Sequence, residues 1–183
     1  MERADALFEI KSRLFNENLI KHSLAVEAIM RELARYFGED TELWGLAGLL
    51  HDIDYEKTAK DPSKHSIIGA DILENLGINS SVVYAVRAHN DYHNIPRRRK
   101  IDIALFSADP LSGLIVATVL IIPSKKIKDI NSEFIINRMN EKGFARGANR
   151  EQIMNCTKLG IELIDFIEIS LKAMQKNANQ LGL

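Results

Sequence analysis

The stretch Leu49-Leu50-His51-Asp52-Ile53-Asp54-Tyr55 decides how the rest of the chain is read. An imidazole stands beside a carboxylate directly after an apolar run. Neighbouring side chains on a helix point about 100° apart, so His51 and Asp52 share no helical face. Both reach one metal ion only if the helix ends there and the backbone turns. Behind this stretch, Thr41 can cap a helix with Leu43, Trp44, Leu46, Ala47 and Leu50 as its apolar positions. His51 follows Ala47 and Trp44 at helical spacing and falls on the inward side. Gly45 and Gly48 leave room for close helix packing or close approach of a ligand. Beyond it, Asp52 to Lys57 reads as a polar loop, and Asp61-Pro62-Ser63 as a turn.

The other histidines extend the pattern. There are five, His22, His51, His65, His89 and His93, all in the first half of the chain. A helix over about 17–37 repeats Leu19, Val26, Ile29, Met30, Leu33 and Phe37, with His22 on the buried face and Gly38 as terminator. Taken alone, His22 also fits a core histidine bonded to a carbonyl. Ser63 is a plausible cap for a helix over about 64–76, closed by Gly77, with His65 in its first turn on the inward side. Asn79 or Ser80 caps a helix over about 81–91 through Val82, Val83, Ala85 and Val86, with His89 facing inward. Asn90, Asp91 and His93 follow as that helix frays. Pro96-Arg97-Arg98-Arg99-Lys100 is either a solvated turn or an anion-attracting rim. Ile101, Ala104, Leu105 and Ala108 mark another buried helix, on whose apolar side Asp109 falls. A carboxylate there is costly unless it is paired or metal-bound. Pro110 is expected to bend the chain, with helix resuming to about Ile122.

The remainder reads as scaffold. Short helices are expected over about 2–16 and 131–141, and one long helix over about 150–178, capped by Asn149 and striped by Ile153, Cys156, Leu159, Leu163, Ile164, Ile167, Leu171 and Met174. No alternating strand pattern occurs, so the expected fold is all-α with about eight helices. The chain has 183 residues, 46% apolar and 27% charged, which suits one soluble domain. A formal net charge of −1 gives no global field toward nucleic acid or an anionic membrane. The single cysteine, Cys156, excludes an intrachain disulfide and a multi-cysteine zinc site, and suits a cytoplasmic location. The charged N-terminal residues are not followed by an apolar signal core. Leu111 to Ile122 is too short an apolar stretch for a membrane span. The exposed stripe of a long last helix would support a homodimer.

Four histidines facing inward from four helices are hard to explain as independent core residues, because each buried imidazole has polar atoms to satisfy. With Asp52 and Asp109 they form one metal centre of the kind helix bundles build from facing side chains. Imidazole and carboxylate without thiolate suit Mn, Fe, Co, Ni or Zn.

The series His22, His51-Asp52, Asp109 resembles the ligand set of the HD-domain superfamily of metal-dependent phosphohydrolases. Lys64-His65-Ser66-Ile67-Ile68-Gly69-Ala70 and Ala88-His89-Asn90 are similar to the branch with two further histidines and a two-metal site. The resemblance covers about residues 18–122, with 123–183 as a helical extension of one HD-type domain. It implies one divalent ion held by His22, His51, Asp52 and Asp109, and a second held by His65 and His89, with Asp52 bridging; Mg is admitted beside the metals above. Asp54 stands where many members have glycine, and Asn90 where many have a second histidine. The Gly-Tyr-Pro segment of the cyclic-dinucleotide phosphodiesterases is absent. The implied reaction is hydrolysis of a phosphomonoester or phosphodiester, a nucleotide being the expected substrate, by metal-activated water. Asp52 belongs to the catalytic set, and Asp54 or His93 is a candidate proton donor. Lys57, Lys64, Asn90, Lys125, Lys126, Arg146 and Arg150 are candidate phosphate contacts. Two other readings are a di-iron oxygenase on the same scaffold and a non-catalytic metal or nucleotide sensor.

Overall fold

The computed structural model describes every residue of 1–183 except residue 142. It is all-α, and no strand occurs among the described residues. The helices are α1 (Arg3–Arg13), α2 (Glu17–Phe37), α3 (Thr41–Leu50), α4 (Tyr55–Thr58), α5 (Ile67–Asn75), α6 (Ser80–His89), α7 (Lys100–Ile121), α8 (Ser132–Met139), α9 (Arg150–Met154), α10 (Leu163–Lys176) and α11 (Ala178–Leu181). The number exceeds eight for two reasons. Short helical turns occur at α4 and α11, and the expected long last helix is two helices. After α9 the chain tightens into a 3-10 turn over Asn155–Leu159 and stops at Gly160, whose φ of 75° is left-handed. Side-chain periodicity runs across this break because Ile153, Cys156, Ile167, Leu171 and Met174 all face the core, yet a backbone at positive φ cannot continue a helix.

α2 and α7 form the frame. On α2, Val26, Ile29, Met30 and Leu33 are fully buried. The Asn16 side chain caps its start by accepting from the Asn18 N–H, and Gly38 at φ 67° ends it. α3 lies tightly against α2. A Cβ at Gly48 would meet the Glu27 backbone at 2.8 Å, so of the two readings of this glycine, close packing is the one observed. The cap of α3 is Asp40 rather than Thr41; its carboxylate accepts from the Glu42 and Leu43 N–H groups. α7 is buried along most of its length by Ala104, Leu105, Ala108, Leu111, Leu114 and Ile115. It runs through Pro110 without interruption, instead of dividing there. By length and composition it is apolar enough to cross a membrane; most of its apolar side chains are covered by the other helices, with Leu120 and Ile121 exposed at its end. Burial of each leucine and isoleucine among them contributes roughly 1.5–3 kcal/mol against chain entropy.

The segment between α3 and α5 departs most from expectation. α5 starts at Ile67, not near Lys64, and the residue before it is Ser66 at φ 70°, ψ −31°. His65 therefore sits in a turn outside the helix. α1 is also shorter than expected, ending at Arg13.

Candidate metal centre

Five elements bring one side chain or two each to a common point. His22 comes from the second turn of α2. His51 and Asp52 come from the end of α3, where the backbone leaves the helix, as the adjacent pair requires. His65 comes from the turn before α5, His89 from the last residue of α6, and Asp109 from the middle of α7. The His22 Nε2 lies 3.2 Å from the His51 Nε2 and 3.1 Å from the Asp109 Oδ1. The Asp52 carboxylate stands among the rings. Its Oδ2 is 3.4 Å from the His51 Nε2, and its Oδ1 is 3.4 Å from the His65 Nε2 and 3.5 Å from the His89 Nε2. Ligand atoms of His22, His51 and Asp109 all lie within 4.8 Å of one another, as do those of His51, Asp52 and His89.

The other nitrogen of each ring fixes its protonation. His51 Nδ1 faces the Gly48 carbonyl at 2.8 Å, and His89 Nδ1 faces the Val86 carbonyl at 2.6 Å. Carbonyls only accept, so both Nδ1 atoms carry the proton. His22 Nδ1 is 3.1 Å from the Ser112 hydroxyl, which already donates to the Asp109 carbonyl and so accepts from the ring. His65 Nδ1 faces the Asp54 Oδ1 at 3.1 Å. With Nδ1 occupied in this way on each ring, the four Nε2 atoms turn toward each other and toward two carboxylates, where they can share a cation, either a metal ion or a proton. Such a set repels itself unless a cation sits among it, and it matches the pattern of metal-ligating histidines, whose second nitrogen donates to an outer partner. The donor set fits a divalent metal.

The charge balance points the same way. Burial alone would lower the His51 pKa, but the Asp52 charge and hydrogen bond, with Asp109 behind, raise it to about 9. Burial opposes ionisation of Asp52, and the surrounding imidazoles overcome it, holding this carboxyl well below its usual range. Asp109 is lowered in the same way, against burial, by His22 and His51.

The remaining sequence candidates fall elsewhere. Asp54 is fully buried behind His65, its Oδ2 accepting from the Ser66 and Gly69 N–H groups at 2.9 and 3.0 Å. It faces away from the ion-holding atoms and has no path as a proton donor to substrate. His93 gives its Nε2–H to the His65 carbonyl at 2.9 Å, and Asn90 donates to the Pro62 and His65 carbonyls. Both pin the His65 turn. Arg150 spends its guanidinium on the carbonyls of Met139, Phe144, Ala145 and Ala148, so it shapes a loop. Lys64 pairs with Asp61 on the surface. Lys57, Lys125, Lys126 and Arg146 are exposed.

Sequence reasoning passed over Ser112, Thr58 and Tyr55. The Tyr55 ring meets the His65 ring edge-on, centroids 5.1 Å apart. Burial and the charges of Asp52 and Asp109 raise its pKa, so the phenol keeps its proton. The signal available was its place directly after the His-Asp stretch. Ser112, one turn beyond Asp109, offered a similar signal.

The centre is most exposed at His22 and Asp109. His22 and Asp109 keep 25% and 29% of their side-chain surface, whereas His51, His89 and Asp52 keep 0%, 3% and 8%. A recess of about 360 Å³ opens there, walled by Pro110, Gly113 and Ala117 of α7 and by Ala145, Gly147 and Ala148 of the loop before α9.

A helical bundle around a buried His/Asp centre of this composition defines a class, and the sequence comparisons agree with it. The sequence model of the HD domain matches residues 19–119, and the chain belongs to the HD domain family. Relatives named Ribonuclease Y include those of Nitratidesulfovibrio vulgaris (strain DP4), 32% identical, and Desulfotalea psychrophila, 33% identical, each over 99 residues. The one from Enterococcus faecalis is 32% identical over the same length. The aligned stretch is 54% of this chain and 19% of each relative, so the chain spans only a small part of their length.

Proposed function

We propose that this chain is a metal-dependent phosphohydrolase acting on a phosphoester of a nucleotide or of a short nucleic acid. The observation that carries the reading is the gathering of four Nε2 lone pairs around Asp52 and Asp109. That donor set would hold divalent metal: His22, His51 and Asp109 would hold one ion, and His65 and His89 a second, with Asp52 available to both. Ions held there would supply Lewis acidity to a phosphoryl oxygen and lower the pKa of water. The protein's own residues do the rest. His22, His51 and Asp109 hold the open side, where substrate arrives. His65, His89 and Asp52 form the side away from His22 and Asp109, where His89 and Asp52 are buried. The Tyr55 ring packs edge-on against His65 and keeps its phenol proton, so it adds no negative charge beside the centre. The neutral walls of the recess lie against the organic part of the substrate, while Arg146 stands exposed on the loop that forms one wall. The name of the relatives supports including ribonucleotide phosphodiesters among the substrates.

The test is a panel of nucleoside monophosphates, cyclic nucleotides, dinucleotides and short RNAs, offered to protein reconstituted with Mn, Fe, Co, Ni, Zn or Mg. Phosphate or nucleotide release by the wild-type protein, absent in Asp52→Ala, is the expected result. A metal-replete protein that turns over none of them, or an Asp52→Ala protein that stays active, overturns the proposal.

A further inference from the structure

Asp54 has no place in the proton path, yet it is fully buried and every side of its carboxylate is occupied. Its surroundings are unusual in three ways. It reaches across a turn to the start of α5, taking the N–H groups of Ser66 and Gly69. Ser66, between them and His65, holds a positive φ of 70° that a non-glycine residue adopts only at a cost of about 1–3 kcal/mol. A Cβ at Gly69 would lie 3.1 Å from the Asp54 Oδ1, so the absence of a side chain there lets the carboxylate in. A strained residue, a glycine and a buried acid are thus spent on one turn, and the side chain that turn presents to the centre is His65.

The hydrogen-bond directions say what is gained. The Asp54 Oδ1 faces the His65 Nδ1. The Thr58 hydroxyl, 3.4 Å from the same nitrogen, already gives its proton to the Asp54 carbonyl, so toward the ring it accepts. Both neighbours of Nδ1 are acceptors, and the proton must sit on Nδ1. The Nε2 lone pair is then aimed at Asp52.

We infer that Asp54 is a positioning residue that sets the tautomer and direction of His65, and so creates the enclosed ion site. The inference rests on the two-ion reading above. Asparagine is the informative replacement. Its amide nitrogen cannot accept from two backbone N–H groups, so its oxygen turns to Ser66 and Gly69 and its NH₂ turns to His65. Nδ1 then becomes the acceptor, and Nε2 carries a proton where a lone pair is needed.

Zinc titration of the wild-type and Asp54→Asn proteins, read by elemental analysis after dialysis, tests this. Two zinc ions per wild-type chain are expected, with the second bound about 10- to 100-fold more weakly in Asp54→Asn and the first unchanged. A nitrogen-15-edited NMR spectrum of the zinc-loaded proteins should show the His65 Nδ1–H proton in the wild type and not in the variant. Loss of packing alone would not move a proton between ring nitrogens. Should Asp54→Asn fail to fold, Gly69→Ala tests the same contact by pushing the carboxylate a few tenths of an ångström while keeping its charge, and a weaker second ion is expected. An Asp54→Asn or Gly69→Ala protein that binds both ions with wild-type affinity overturns the inference. One zinc in the wild type defeats the two-ion reading instead, and the Nδ1–H signal still decides the role of Asp54.

Discussion

Two clusters of buried charge lie on α2, one turn and a half apart, and they are satisfied in opposite ways. Glu27 is 3% exposed and carries its counter-ions with it. Arg3 from α1 and Arg31 from α2 bind its oxygens at 2.6 to 2.9 Å, and Arg31 goes on to Glu42 of α3. Nothing further is needed, and the cluster fastens three helices together. The centre around Asp52 has comparable burial and, among the described residues, no lysine or arginine pairs with its carboxylates. Its carboxylates face imidazole Nε2 atoms, which take up either protons or a metal ion. A fold tolerates buried carboxylates in either setting, but only the second leaves a place for an added cation. A recess of about 400 Å³ beside the first cluster is lined by these ion pairs and lies away from the imidazoles, which is why size alone does not mark it as a site.

The contrast is broken most severely at Asp52. Asp52→Ala removes the carboxylate that both proposed ions would share, and metal content and phosphohydrolase activity should both fall to background. Elemental analysis and the substrate panel read the two losses separately. Glu27→Ala should do the reverse. It leaves Arg31 with Glu42 alone and returns the partly exposed Arg3 to solvent, and should cost about 1–3 kcal/mol of stability in urea unfolding, with zinc content per folded chain unchanged. A Glu27 variant that loses zinc in proportion to its stability would show that the two clusters are one unit.

The comparison also explains what the sequence made legible. His22, His51, Asp52, His89 and Asp109 were readable because each lies on or at the end of a helix whose apolar rhythm says which way it faces. His65 was placed with the same group, but for a partly mistaken reason. Local periodicity puts it in a helix, whereas it stands in a turn that Asp54, Asn90 and His93 hold in place through long-range hydrogen bonds. Those bonds join residues 11 to 28 positions apart, and no local pattern reports them. For the same reason Asp54 and His93 read as proton donors and Arg150 as a phosphate contact. Their polarity was visible and their partners were not.

pH separates the clusters next. After chelation, protons are the cations left to bind among the imidazoles. His51 then has a folded pKa of about 9, above the ordinary value of 6.5 in the unfolded chain. Its contribution to stability is complete below pH 6.5 and is lost as pH rises toward 9, on the order of a few kcal/mol. Urea midpoints of the chelated protein should therefore fall across this interval. With metal bound the ring is already deprotonated and the fall should vanish. Equal pH dependence with and without metal would remove His51 from the ion site.

The smallest effect probes the open side. Gly113 is an exposed glycine in the middle of α7, one turn beyond Asp109, and a Cβ there meets no atom within 4 Å. Close packing therefore gives no reason for it, although glycine costs a helix interior about 1 kcal/mol relative to alanine. It lines the recess beside His22 and Asp109. If that space receives the organic part of the substrate, Gly113→Ala should stabilise the fold by about 0.5–1 kcal/mol and leave activity nearly intact. Gly113→Trp, which fills the recess, should lower kcat/KM for nucleotides about 10- to 100-fold, roughly 1.4–2.7 kcal/mol of binding in the transition state. Hydrolysis of a small ester such as p-nitrophenyl phosphate should persist, because the ions and their ligands are untouched. Equal losses for both substrates would mean that the tryptophan had disturbed Asp109 rather than occupied the place of a nucleotide, and the recess would then have no part in choosing the substrate.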